Sequence, residues 1–140
     1  MRFLRYWLPV IVWAACLVSA GNDRLSSSHT HGWLHEFIGQ FLSDRSIELV
    51  NILIRKATHL TAYGFLGALG FRAARAERRG FTMRWAGIAL AIVLVVASID
   101  EIHQSMTRMR TGRPQDVLLD LCGAAIALVV IRFSASRREA

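Results

Sequence analysis

Four stretches in which apolar residues run almost without interruption divide this chain: Tyr6 to Ala20, Ala57 to Phe71, Trp85 to Ile99 and Val117 to Ile131. Each covers 15 residues, short of the roughly 20 a helix needs to cross the hydrocarbon core. Basic and amphipathic ends extend each one, because long arginine side chains reach out to the headgroups. The pattern therefore predicts an all-α integral membrane four-helix bundle, with spans over about 4–20, 54–73, 85–103 and 116–133. The competing reading is a soluble protein with four buried core helices. Such a bundle needs amphipathic helices, whereas Ala86 to Ile99 is apolar on every face.

Between the first two spans the pattern changes. After a polar turn from Gly21 to Ser28, Trp33, Leu34, Phe37, Ile38, Phe41 and Leu42 recur on one helical face, opposite His35, Glu36 and Gln40. This predicts a short amphipathic helix in the first extracytoplasmic loop, lying flat at the interface or packed as a lid over the bundle. Asp44 is the expected N-cap of the second helix, which runs unbroken to about Ala73 and is longer than the bilayer core. Gly64, Gly67 and Gly70 give it a smooth stripe for close packing. Arg72 to Arg84 is a short connection, so the second and third helices are antiparallel neighbours. Asp116 stands where the N-cap of the fourth helix is expected. No repeat or second domain interrupts the chain, so residues 1–140 form a single domain.

Charge orients this framework. The net charge is +7, carried by sixteen arginines and one lysine. Ten of these seventeen lie in the N-terminal lead, the Arg72–Arg84 connection and the C-terminus. By the positive-inside rule both termini are cytoplasmic and the chain is a multi-pass protein of the cytoplasmic (inner) membrane. The bilayer is thus its first partner. The arginines lie between apolar segments and do not form one basic face, so nucleic acid is excluded as a partner. Arg2, Arg5 and the run ending Val18-Ser19-Ala20 also fit a signal peptide cleaved after Ala20; a retained first span is the preferred reading. Cys16 and Cys122 are read as small packing residues.

Ionisable groups inside apolar helices cost roughly 2.5–3.5 kcal/mol each on insertion scales, so those present are expected to gather. Lys56, His59 and Tyr63 share one helical stripe. Asp100 and Gln104 are one turn apart, as are Asp116 and Asp120. In the predicted topology the start of helix two, the end of helix three and the start of helix four meet at the outer face. They form a polar pocket in which Lys56 and Arg110 neutralise Asp100, Glu101, Asp116 and Asp120. His29, His31 and His35 have no carboxylate or cysteine to complete a metal cluster and are read as solvated. No metal is expected, although His59, Asp100, Glu101 and His103 form a variant set for one. No cofactor is indicated.

These same residues carry a resemblance. The run IRKATHLTAYGFLG resembles the first motif of the VanZ-like membrane proteins, and DEIHQSMTRMRTGRPQDVLLDLCGA resembles their second. The order of spans and the outward loop are similar too, so the likeness covers nearly the whole chain. Two positions depart from the family pattern. Ala62 stands where an acidic residue often precedes the tyrosine, and Arg108-Met109-Arg110 replaces the usual Pro-Gly-Arg, which matches Arg110 to the family arginine. The family is named for a protein linked to teicoplanin resistance, so the resemblance implies a cell-envelope setting but no reaction.

Two functions follow as expectations. In the first, the site handles an envelope lipid or a lipid-linked, anionic ligand. His59 acts as general acid or base with Asp100 or Glu101 setting its tautomer, while Lys56, Tyr63, His103, Gln104, Arg110, Asp116 and Asp120 bind the ligand. In the second, the protein is not an enzyme, the cluster is structural, and the chain acts through partners. A small transporter ranks third, since neither inverted repeats nor paired broken helices are visible.

Overall fold

A computed structural model of the chain describes residues 2–20, 43–105 and 114–137. Among these residues are four helices and no strand: α1 (Arg2–Ala20), α2 (Asp44–Arg75), α3 (Met83–Ser105) and α4 (Pro114–Ser136). The all-α expectation holds, and every helix runs past its apolar stretch. The amphipathic helix expected before Asp44, the histidines at 29, 31 and 35, and Arg110 lie outside the described residues.

Two helices start earlier than expected. Ser43, in extended conformation, caps α2 by accepting from the Ser46 backbone N–H, so Asp44 lies in the first turn. There its charge still complements the helix dipole. The α4 helix begins at Pro114, where proline's missing N–H costs nothing. Asp116 is therefore inside the first turn, and its side chain is available for another partner.

The contacts define the chain's course. Trp13 of α1 donates through Nε1 to the Ala62 carbonyl at 3.0 Å, while Tyr6 lies under the Arg72 guanidinium, so α1 and α2 are antiparallel. Tyr63 meets Asp100 and Phe71 meets Trp85, so α2 and α3 are antiparallel as well. In contrast, Arg55–Asp116 and His59–Asp120 are both separated by 61 positions, which requires α2 and α4 to run parallel. The start of α2, the end of α3 and the start of α4 therefore share one end, with the Arg72–Arg84 connection at the other.

The α2 helix is central and touches the other three. Ile47, Tyr63, Leu66 and Phe71 are its most buried large side chains. Close approach rests on small residues. A Cβ on Gly67 would lie 2.8 Å from the Ala124 Cβ, and one on Gly123 would collide with the Leu60 carbonyl oxygen. Ala89 and Ala97 of α3 are fully buried.

Helices α3 and α4 are long and apolar enough to cross a membrane. Only 22% of the most apolar window of α4 is buried, and Leu118, Ile126, Val129, Val130 and Phe133 are each more than half exposed. Cys16 and Cys122, expected as packing residues, are exposed and free instead.

Candidate functional site

Equal spacing on two parallel helices builds the site. Arg55 and His59 are one turn apart on α2, and Asp116 and Asp120 are one turn apart on α4. Parallel packing therefore sets them opposite each other as two rungs. Arg55 Nη2 donates to Asp116 Oδ2 at 3.0 Å, and His59 Nδ1 lies 3.1 Å from Asp120 Oδ1. One turn further along α2 the connection passes to α3. Tyr63 Oη donates to Asp100 Oδ2 at 3.1 Å, and Gln104 Nε2 donates to the same oxygen at 2.8 Å. The His59 and Tyr63 rings stack with centroids 6.0 Å apart, which joins the α4 side of the cluster to the α3 side.

Burial is graded. The Arg55 and Asp116 side chains are 31% and 15% exposed, whereas those of His59 and Asp120 are 13% and 1% exposed. The cluster is therefore open at the Arg55–Asp116 rung and closed below. At the closed end, Asp100 Oδ1 and Asp120 Oδ2 are buried with no hydrogen-bond partner among the described residues, as is His103 Nδ1. An unsatisfied buried acceptor costs on the order of 1–3 kcal/mol, so both carboxylates present oxygens suited to a ligand's hydrogen-bond donor.

Asp100, Asp116, Asp120, His59, Tyr63 and Gln104 come together as a linked set. Glu101 is buried beside Asp100 on α3, and His103 is half-buried. Two details differ from the sequence reading. Lys56 is exposed, because one residue is a rotation of about 100° on a helix, and Arg55 occupies the place expected for it. The carboxylate on His59 is Asp120, not Asp100 or Glu101. One signal in the sequence does point to these pairs: Arg55/His59 and Asp116/Asp120 repeat opposite chemistry at the same spacing of four. Among the described residues no three His, Cys, Asp or Glu side chains converge closely enough to hold a metal ion.

Chemically, an imidazole held at Nδ1 by a buried carboxylate has a set orientation and leaves Nε2 to exchange a proton with a ligand. Tyr63 is similarly oriented by Asp100. No curated protein and no solved structure matches the chain. The VanZ/LLP1 family model matches residues 6–135, which takes in all of α2 and α3 and nearly all of α1 and α4.

Proposed function

The chain belongs to the VanZ/LLP1 family, and from this premise we propose that it is a multi-pass envelope protein of the inner membrane. In this reading its polar cluster handles an envelope lipid or a lipid-linked, anionic ligand, with a link to glycopeptide (teicoplanin) resistance. The outward apolar faces of α3 and α4 support residence in a bilayer, since a soluble core helix would have them covered. The arginine-rich α2–α3 connection supports a cytoplasmic position for that end and for both termini. The polar cluster then lies at the outer mouth of the bundle.

One observation carries the site's role, the His59–Asp120 pair beneath the more open Arg55–Asp116 rung. His59 serves as the proton-transfer group, with Asp120 setting its tautomer. Asp100 positions Tyr63 and Gln104, and Glu101 and His103 complete the α3 wall. Arg55 at the mouth meets the anionic part of the ligand, while Asp116 steers Arg55.

His59→Ala is the test. Loss of a positioned general acid–base group lowers activity by on the order of a hundredfold. Cells carrying the variant, compared at matched membrane levels of the protein, should therefore show the lipid-precursor profile and glycopeptide susceptibility of cells lacking the gene. Full activity at matched levels contradicts the reading.

The second reading, a non-enzymatic protein with a structural cluster, draws on the fact that both rungs and the Tyr63–Asp100 bond each join two helices. It predicts that the same variant lowers abundance and thermal stability while activity per molecule is retained.

A further inference from the structure

At the opposite end of the bundle a cleft of about 680 Å³ opens between the α2–α3 connection and the last turns of α4. Its size is within the roughly 300–1,000 Å³ of ligand pockets. Arg75, Arg78 and Arg79 line one side, with a single acid, Glu77, among them. Val130 and Ile131 line the other side, and Val130 is 58% exposed. An adjoining cleft shares Arg79 and adds Arg132, so basic groups continue around the rim. Arg75 Nε is buried with no hydrogen-bond partner among the described residues.

We propose that this cleft binds the phosphate headgroup of an anionic phospholipid. Arginine guanidinium groups match phosphate oxygens in geometry and charge, and Arg78 and Arg79 are exposed at the cleft, while Arg75 stands over the Phe71 ring. Beside them, the outward apolar face of α4, with Val129 and Phe133 exposed, provides a surface for an acyl chain. This pairing of a basic cleft with an apolar face suits a lipid better than free phosphate. The cleft is at the end assigned to the cytoplasmic side, where anionic lipids attract basic groups. The inference rests on the membrane reading alone and not on the role given to His59.

The test uses full-length protein, purified and delipidated in detergent, titrated with phosphatidylglycerol and followed by native mass spectrometry. Arg78→Gln with Arg79→Gln is compared with Arg5→Gln with Arg84→Gln. The two pairs change net charge equally, and all four residues are exposed, so neither pair disturbs the core. The cleft pair should weaken lipid retention by on the order of tenfold, and the pair outside the cleft by less than about twofold. Equal losses would mean diffuse surface attraction and overturn the proposal, as would no loss in either. Displacement of the lipid by inorganic phosphate at equal concentration would also overturn it, because the cleft would then be an ion site.

Discussion

Gly123→Ala should cost about 3 kcal/mol of stability and abolish activity, although it adds one methyl group. The new Cβ would collide with the Leu60 carbonyl oxygen and lie 2.9 Å from the carbonyl carbon. Both atoms belong to the α2 backbone, so no side chain can rotate away and the two helices must separate. Overpacking of this kind typically costs 1–3 kcal/mol, and a backbone obstacle places Gly123 at the upper end. Helices in lipid gain little from hydrophobic burial against one another and depend on such close packing. Leu60 follows His59, and Gly123 is one turn beyond Asp120, so separating the helices here also pulls apart the deeper rung. Gly87→Ala is the control. A Cβ there meets nothing within 4 Å, and alanine's better helix propensity of up to about 1 kcal/mol should leave stability unchanged or raised. Unfolding in mixed micelles measures both.

The second large effect is non-additive. Asp120→Leu alone strands His59 next to an apolar residue in a buried site, and breaking a buried pair from one side costs on the order of 3–5 kcal/mol. His59→Leu combined with Asp120→Leu removes both polar groups, and such apolar replacements of buried pairs are often neutral or stabilising. The double variant should therefore recover most of the stability lost in the single one while remaining inactive. The Arg55–Asp116 rung is more exposed, and removing either partner there should cost about 1 kcal/mol or less. A double-mutant cycle on each rung, read by thermal unfolding in detergent, checks the ranking. If the double His59/Asp120 variant were as unstable as the single one, the pair would not be an isolated unit. If the double variant were active, the role proposed for His59 would be wrong.

Much of this was legible in the chain because it depends on local pattern. The apolar runs located four helices, and the unbroken run from Asp44 marked α2 as longer than a bilayer requires. The glycine stripe marked the packing face of α2, but its closest contact involves Gly123 of α4, and no single-helix pattern names a partner 63 positions away. Helix rotation was the weak point. Polar residues in the first half of α2 occur on several sides, and the i, i+3, i+7 spacing led to Lys56, although Arg55, His59 and Tyr63 at i, i+4, i+8 share a face equally well. Likewise, turn spacing showed that Asp116 and Asp120 share a face but not that this face meets His59. Choosing Asp44 over Ser43 as the cap failed for a smaller reason, since both are good capping residues and only backbone geometry separates them.

The account depends on the register of α2 against α4, which sets Arg55 and His59 opposite Asp116 and Asp120. Cross-linking of Gly64→Cys with Ala127→Cys, in a chain with Cys16→Ser and Cys122→Ser, measures it directly. A Cβ at position 64 would lie 3.9 Å from that of Ala127, inside the disulfide range, and 3.0 Å from the Gly123 carbonyl oxygen, a contact relieved by a shift of a few tenths of an ångström that leaves the register unchanged. Phe65 packs edge-on against Trp13 of α1, on another side of α2. Rapid disulfide formation for the 64/127 pair under mild oxidation, with none for Phe65→Cys and Ala127→Cys, is the predicted result. Cross-linking of the 65/127 pair, with none at 64/127, would contradict it.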